Sequence, residues 1–418
     1  MKRRNNKYEC FNRNTISNTI SNINFAVFIF ICFSLFSTPS WAQIPLPEHP
    51  RPDFERADWL NLNGEWAFEF DSTDSGLRQN WASGKKVFTH KINVPFPWGA
   101  PLSGVKNEAD IAWYQRTIKV SAAWSDKRTF LTIGASDWET TVFLDGVEIG
   151  KHRGGYVPFS FELTKRLKYG QNQIISIRVD DKRRDFTLYG KQGYGDARGI
   201  WQTIYLEARG VNFIQAIRFE PDIDKEKVTV TCRLSEDTRN QDFPLKIDLN
   251  TEGGILSFNQ TIPKNGASHT FDLSLPKPRL WTLADPFLYE TTLNWAGSDI
   301  IKTYFGMRKI SVIDLPNTDY PYIALNNKPI YLQLTLDQSY HPDGFYTFPT
   351  DAFMKNDILL AKQIGLNGIR THIKIDVPRK LYWADKLGVL VMADLPNFWG
   401  EPTPEAREES ERNLPQMI

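Results

Sequence analysis

The chain has 418 residues, enough for two or three domains with a sizeable core. Its 50 lysines and arginines against 49 aspartates and glutamates give a net charge of +1. This balance does not favour a nucleic-acid or anionic-membrane partner, and no internal repeat or low-complexity run appears.

The first 42 residues have the pattern of a secretory signal peptide. A basic stretch (MKRRNNK) precedes an apolar run from Phe25 to Phe36, and Ser40-Trp41-Ala42 forms a small-x-small cleavage site. The apolar run is shorter than the about twenty residues of a transmembrane helix, with an uncleaved anchor as the alternative. We expect an exported protein, periplasmic or secreted, with no membrane association after cleavage. Cys232 is then the one remaining cysteine and is predicted to be a small core residue.

Residues 43–210 are predicted to form a jelly-roll-like β-sandwich. Residues 63–70 and 112–120 alternate like strands, and residues 140–150 indicate a hairpin with Asp145-Gly146 as its turn. Short strands without helical periodicity are typical of such sandwiches. We interpret the acidic pair Asp180-Asp181 as a solvated hairpin end rather than a cation site.

Residues 211–315 are predicted to form an immunoglobulin-like β-sandwich without chemistry of its own. The short alternating strands that indicate it are residues 227–234, 245–249, 270–275, 289–293 and 302–305. Pro316 and Pro321 mark residues 315–322 as a linker into the last region.

Residues 316–418 alternate strand and helix. Strands are predicted at 330–336, 368–371 and 389–393, and helices at 351–364, at 377–387 and from Pro404 onwards. The helix signals are Thr350, Asp376 and Thr403 as N-caps, Pro378 in a first turn, and Gly365 and Gly388 as terminators. This alternation predicts right-handed βαβ crossovers and a parallel sheet buried on both faces.

Polar and aromatic side chains follow each predicted parallel strand. They are Asp337, Gln338 and His341 after the first strand, Arg370 and His372 in and after the second, and Asp394, Asn397 and Trp399 after the third. Active sites of (β/α)8 barrels are built at the carboxyl ends of the strands. We therefore predict a polar substrate pocket here, with helix caps and exposed loop residues as the alternative explanation.

Segments of all three regions carry a family resemblance. They include LNGEW (62–66), VPFPWGAPLSG (94–104), GKQGYGDARGIWQTIYLE (190–207), RLW (279–281), FGMR (305–308), LDQSYHPDGFYT (336–347), GLNGIRTHIK (365–374) and PRKLYWADKLGVLVMADLPNFWG (378–400). These segments resemble glycoside hydrolase family 2, which includes β-galactosidases, β-glucuronidases and β-mannosidases. The chain departs from the family pattern at His372, which follows Arg370 one residue earlier than usual.

The resemblance implies that residues 316–418 are the first three βα units of a TIM barrel. The implied activity is retaining hydrolysis of terminal β-glycosides, with a β-galactoside as the expected substrate and no cofactor or metal. Arg370 and His372 are the expected contacts to the terminal sugar. Further substrate-binding residues are expected at the rim, namely Asp337, Gln338, Asp394, Asn397 and Trp399, and Gln192 in a loop of the first sandwich.

The resemblance places both catalytic glutamates beyond Ile418. Retaining glycosidases use two carboxylates, one as nucleophile and one as acid/base. In this family the acid/base lies in an Asn-Glu pair, and residues 316–418 contain no such pair. We therefore expect no catalytic residue in these 418 residues, as in a fragment or a truncated product.

Two other functions are compatible with the residues. The first is a non-catalytic carbohydrate-binding protein, which the aromatic-rich sandwich and the missing glutamates favour. The second is a metal-dependent hydrolase that uses His341, His372, Asp337 and Asp394, since barrel hydrolases pair histidines at strand ends with carboxylates.

Overall fold

The computed structural model of the protein describes residues 44–184, 196–235, 241–397 and 401–417. These residues are mostly β-structure of the sandwich type, and the three α-helices among them all follow residue 350. None of the helices in these ranges is both long and apolar enough to span a bilayer. The predicted signal peptide lies outside the described residues, so it stays a prediction.

The first sandwich consists of two main antiparallel sheets, ordered β1-β12-β5-β9 and β3-β2-β4-β10-β7-β8, and a short β6-β11 ladder. Its strands are β1 (Trp59–Asn61), β2 (Gly64–Phe70), β3 (His90–Val94), β4 (Ile111–Lys119), β5 (Arg128–Ile133), β6 (Ser136–Asp137), β7 (Glu139–Leu144), β8 (Val147–Arg153), β9 (Phe159–Glu162), β10 (Asn172–Asp180), β11 (Gly199–Ile200) and β12 (Ile204–Arg209). Both sheets contribute to one core, in which Leu131 of β5 packs with Trp66 and Ile175 of the other sheet.

The predicted hairpin of this sandwich is confirmed. Strands β7 and β8 pair antiparallel, and Asp145 and Gly146 at the turn have φ angles of 48° and 82°. Positive φ at both central residues is the conformation that matches the right-handed twist of the two strands. An Asp-Gly turn tolerates it at low cost, which is why this feature was visible in the sequence.

The second sandwich consists of sheets β13-β14-β17 and β16-β15-β18-β19. Its strands are β13 (Ile214–Asp222), β14 (Lys227–Leu234), β15 (Phe243–Thr251), β16 (Gly254–Ile262), β17 (Ser268–Ser274), β18 (Tyr289–Trp295) and β19 (Asp299–Phe305). Cys232 of β14 is fully buried in its core, as predicted, and burial raises the pKa of its thiol to about 12.

The proposed linker at 315–322 is wrong in part. Strand β20 (Ile310–Asp314) pairs antiparallel with β21 (Pro321–Leu325), and β22 (Lys328–Pro329) pairs with β21. Residues 315–320 are therefore the loop of a hairpin that crosses the predicted boundary at 315/316. Pro316 lies in this loop and Pro321 begins β21, so the two prolines mark a hairpin at this position.

Three parallel strands and three helices follow. They are β23 (Leu334–Asp337), α1 (Asp351–Gln363), β24 (Gly368–Thr371), α2 (Pro378–Leu387), β25 (Leu390–Ala393) and α3 (Pro404–Met417). The predicted cap of α1 is confirmed, because the Phe353 amide donates to Thr350 Oγ1 at 3.0 Å. Strand β23 starts four residues later than predicted, since the Asn367 side chain bonds the backbone at Tyr331 and Gln333 instead.

The N-cap of α2 is Val377, not Asp376 as predicted. The Asp376 carboxylate accepts hydrogen bonds from the Ser339 and Thr371 hydroxyls, at 2.9 and 3.4 Å, and lies near two lysines. The Asp376 carboxylate, which the sequence pattern predicted to cap α2, thus makes tertiary contacts instead. The other end of α2 follows the prediction, because Gly388 adopts a φ of 73° that glycine favours.

The second sandwich anchors α2. Trp281 Nε1 donates to the Asp385 carbonyl at 2.7 Å, and Arg308 Nη1 pairs with Asp385 Oδ1 at 2.6 Å. The Arg308 guanidinium also lies over the Trp281 ring, 4.6 Å from its centre. These contacts give Trp281 and Arg308 structural roles, and they hold α2 against the second sandwich.

Candidate functional site

The three parallel strands present two different faces. The register places Arg370 between Leu336 and Met392, and one residue further along it places Thr371 beside Asp337. Because successive residues of a strand point to opposite faces, Arg370 and Asp337 lie on opposite sides of the sheet.

Helices α1 and α2 cover the face that carries Asp337. Ile369 on this face packs in one buried cluster with Ile358 of α1 and Ala384 of α2. On the opposite face Leu336 and Met392 remain 48% and 44% exposed. Within the described residues this second face, which we call the open face, is accessible to a ligand.

Two polar pairs lie at the carboxyl end of the open face. Arg370 and Asp394 form a two-point ion pair, with Nε to Oδ1 at 3.1 Å and an Nη2–Oδ2 distance of 2.9 Å. His372 Nδ1 donates to Gln338 Oε1 at 3.1 Å, since an amide oxygen can only accept. The structure thus brings four of the predicted residues together on one rim.

Asp337 belongs to a buried ionic network on the covered face. Its Oδ2 pairs with Lys380, whose side chain is 1% exposed and also lies 3.4 Å from Asp376 and 3.5 Å from Asp357. Burial alone would lower the pKa of Lys380, but Asp376 and Asp337 raise it above its ordinary value. Asp337 therefore neutralises a buried cation, and this contact keeps it away from the open face.

A second buried lysine holds the loop between β23 and α1. Lys374 Nζ donates to the carbonyls of Ser339 and Tyr346, at 2.8 and 2.9 Å. The same loop docks on the first sandwich, because Thr347 Oγ1 donates to the carbonyl of Trp201 at 2.6 Å. The rim that carries Gln338 is thereby supported by the first sandwich.

Two buried carboxylates of the first sandwich correct the sequence interpretation. Asp180 and Asp181 are both buried, so they are not a solvated hairpin end. Asp180 pairs with Arg184 at 3.0 Å, whereas Asp181 Oδ2 has no hydrogen-bond partner among the described residues. Burial, and then the charge of Asp137, raises the pKa of Asp181 well above its ordinary value. Asp181 therefore favours its neutral form more strongly than an exposed aspartate does.

The remaining predicted residues are not part of the two pairs. Asn397 is exposed beyond β25, while His341 Nδ1 accepts from the Asp343 amide at 3.1 Å and its ring contacts Phe353. Gln192 and Trp399 lie outside the described residues. Within the described part of the chain, no three His, Cys, Asp or Glu side chains are grouped to hold a metal ion.

Sequence reasoning missed Lys374, Asp376 and Lys380 as organisers of the rim. Asp376 and Lys380 are four residues apart, a spacing that brings two side chains together on a helix. That spacing was the one available signal, but it does not reveal burial.

Comparison with protein families agrees with this architecture. The family model described as "Glycosyl hydrolases family 2, sugar binding domain" matches residues 60–207. A second model, "Glycosyl hydrolases family 2", matches residues 212–308. The chain belongs to glycosyl hydrolases family 2. The resemblance seen in the sequence motifs is therefore confirmed, and the two matches coincide with the two sandwiches.

Individual relatives of this family 2 chain are glycosidases. A β-galactosidase of Thermoanaerobacter pseudethanolicus is 22% identical, with 86% of this chain and 48% of the relative covered. A β-glucuronidase of Streptococcus agalactiae is 26% identical, with 68% and 49% covered. The chain thus spans about half the length of these curated relatives.

The fold is also shared with solved structures. The β-glucuronidase from Ruminococcus gnavus in complex with D-glucuronic acid superimposes with a TM-score of 0.74 at 19% identity. The match covers 87% of this chain and 65% of that one. At this identity the likeness establishes the mostly β, sandwich-type fold.

Proposed function

We propose that this chain is the amino-terminal part of a β-glycosidase and that its open face binds the terminal sugar of a β-glycoside. The Arg370–Asp394 pair carries the proposal, because it remains 48% and 20% exposed at the side chains. A guanidinium donates hydrogen bonds and a carboxylate accepts them, whereas a sugar hydroxyl does both. The His372–Gln338 pair extends the same rim with further polar atoms.

We propose a neutral sugar, with a β-galactoside as the substrate. Asp394 already neutralises the charge of Arg370, and a uronate carboxylate placed there would meet the carboxylate of Asp394. A neutral galactose ring avoids that repulsion and uses both members of the pair. Both β-galactosidases and β-glucuronidases occur among the relatives, so the substrate must be tested directly.

The domain organisation is a further part of the proposal. We propose a signal peptide over 1–42, export to the periplasm or medium, a jelly-roll domain, an immunoglobulin-like domain and the start of a TIM barrel. Parallel strands with helices on one face and polar residues at their carboxyl ends support the barrel. In a closed barrel the open face would be the inner face, towards which Arg370 points.

We also propose that residues 1–418 bind the sugar without hydrolysing it. Retaining hydrolysis needs two carboxylates about 5–5.5 Å apart on either side of the bond. At the described rim, Asp394 is paired with Arg370 and Asp337 lies on the other face with Lys380. The catalytic glutamates would then come from residues beyond Ile418. A non-catalytic carbohydrate-binding protein would share the binding and lack those residues.

The test measures binding and hydrolysis separately on the 418-residue chain. Calorimetric titration should detect methyl β-D-galactoside and not methyl β-D-glucuronide, while 4-nitrophenyl β-D-galactoside should release no nitrophenol. Asp394→Ala should weaken galactoside binding about tenfold, the cost of one hydrogen bond to a charged group. Asp343→Ala, at an exposed aspartate of the adjacent loop, is the matched control and should leave it unchanged. Tighter binding of the glucuronide would refute the neutral-sugar proposal.

A further inference from the structure

A cleft of about 650 Å³ lies between the two sandwiches, and none of its lining residues belongs to the parallel strands or their loops. We propose that this cleft, which we call the sandwich cleft, binds an oligosaccharide that carries carboxylate or sulfate groups. The proposal rests on the proposed function only in taking a saccharide as the ligand. Its volume lies within the about 300–1,000 Å³ of typical ligand sites.

The floor of the sandwich cleft is fixed by a buried arginine. Arg56 donates to both carboxylate oxygens of Asp299 in the second sandwich, at 2.7 and 2.9 Å. Its Nη1 donates to Glu207 of the first sandwich at 2.9 Å, and its Nη2 donates to the Ile214 carbonyl at 2.6 Å. All three charged side chains are at most 3% exposed. The two walls therefore keep a fixed separation, and a ligand meets a preformed site.

One wall is the outer face of the sheet formed by β12, β5 and β9. Leu131 and Ile133 of β5 point into the core, so Phe130 and Thr132 point to the cleft side. The Arg209 guanidinium lies 4.1 Å from the centre of the Phe130 ring. Thr132 and Ser160 face each other across strands, with their hydroxyl oxygens 2.8 Å apart. Phe130 and Thr132 are themselves buried, so this wall offers a ligand the exposed Ser160 hydroxyl and the guanidinium groups, which donate hydrogen bonds to hydroxyl and anionic oxygens.

The charged residues that line the sandwich cleft indicate which kind of saccharide it binds. The cleft is lined by four arginines (Arg51, Arg128, Arg209 and Arg233) and three acids (Asp53, Glu162 and Glu207), which gives one excess positive charge. Three of the arginines pair within the cleft, each with one acid. Arg233 is exposed at the mouth and has no ion pair among the described residues. An anionic group on the ligand supplies the missing partner, because guanidinium binds carboxylate and sulfate oxygens through paired hydrogen bonds.

The experiment titrates the complete chain with three tetrasaccharides and follows heat. A hyaluronan tetrasaccharide supplies carboxylates, a carrageenan tetrasaccharide supplies sulfates, and cellotetraose is the neutral reference. At least one anionic probe should bind, and cellotetraose should bind at least about tenfold more weakly, the effect of one charge-assisted hydrogen bond. The two anionic arms decide whether carboxylate or sulfate is the preferred group.

Variants locate the ligand. Arg233→Glu should reduce the affinity for the anionic probe at least about tenfold. Arg78→Glu makes the same charge change at an exposed arginine outside the cleft and should have no effect. Gln215→Trp, at an exposed position of β13 on the opposite side of the cleft, should block binding sterically without changing the charge.

Several results would overturn the proposal. They are no binding of either anionic probe, equal affinity for cellotetraose, and unchanged affinity in both Arg233→Glu and Gln215→Trp. If Asp394→Ala abolished the binding instead, the ligand would lie at the open face and the sandwich cleft would be excluded. Binding of methyl β-D-galactoside tests the open face separately, so the failure of one proposal is distinguishable from failure of the other.

Discussion

Two ion pairs at the carboxyl ends of the parallel strands show how the layer that covers a sheet decides what a charged residue does. Arg370–Asp394 lies on the open face, with side chains 48% and 20% exposed. Lys380–Asp337 lies under the helices, with side chains 1% and 15% exposed. In the sequence both aspartates follow apolar strands and were equally good candidates for a binding site. The structure separates them, because one pair is accessible to a ligand and the other is enclosed.

The enclosed pair is part of a wider network, as burial requires. A charge removed from water must be compensated by partners, and Lys380 has Asp337, Asp376 and Asp357 around it. Burial alone would raise the pKa of Asp376, but Lys380 and Lys374 lower it below its ordinary value. The pair on the open face has no such network around it, and the half-exposed Arg370 guanidinium remains accessible to a polar ligand.

The largest expected effect comes from breaking the enclosed pair. Lys380→Ala leaves Asp337 without its cation and the buried Asp376 with Lys374 alone, and we expect a loss of about 3–5 kcal/mol of unfolding free energy. Urea denaturation followed by tryptophan fluorescence measures it. Lys386→Ala, on the same helix but in a pair with the exposed Glu290, should cost less than about 1 kcal/mol. Equal losses in the two variants would mean that the network does not stabilise the fold.

A second prediction concerns Asp181, an enclosed acid that has no ion pair among the residues that the structure describes. Because the pKa of Asp181 is raised in the folded protein, the folded state holds this proton more tightly than the unfolded chain does. The stabilisation that results is complete below the ordinary pKa of 3.8 and is lost as the pH rises towards the folded-state pKa. Asp181→Asn removes that loss, so the variant should be more stable than the wild type at pH 7. The gain should shrink as the pH falls towards the ordinary pKa of 3.8.

The adjacent aspartate provides the control for this pH series. Asp180 pairs with Arg184 at 3.0 Å and lies 3.4 Å from Arg178, so Asp180→Asn should lower stability at pH 7. Opposite signs for the two variants would distinguish a neutral from a charged buried acid. A loss of stability in Asp181→Asn as well would show that Asp181 is ionised in the folded protein.

Local features of the fold were predictable from the sequence. The Asp145-Gly146 turn, the Thr350 cap and the alternating strand β14 depend on neighbouring residues, and the structure has all three. The same applies to the termination of α1 and α2 at glycines with positive φ. These patterns depend on residues only a few positions apart, so they can be recognised directly in the sequence.

The predictions that were wrong have one cause in common, which is contact between residues that are distant in the sequence. Asp376 was assigned to a helix end, but distant side chains engage it, and Asp180-Asp181 was assigned to solvent, but the first sandwich buries both. The candidate site residues show the same difference between local patterns and distant contacts. Alternation and parallel register were sufficient to place Arg370, His372 and Asp394 on one rim, whereas the partner of Asp337 is 43 residues away in the sequence.

The smallest expected effect on stability is at the open face. Arg370→Ala removes one member of an accessible pair, and we expect a change below about 1 kcal/mol in the free energy of unfolding. The same variant should lose galactoside binding, because the guanidinium is a donor to the sugar in our proposal. Arg370→Lys keeps the charge but not the two-point geometry with Asp394, and should restore only part of the affinity. If Arg370→Ala instead cost several kcal/mol of stability and left galactoside binding intact, Arg370 would be a structural residue like Lys380. The distinction between the open and covered faces would then fail.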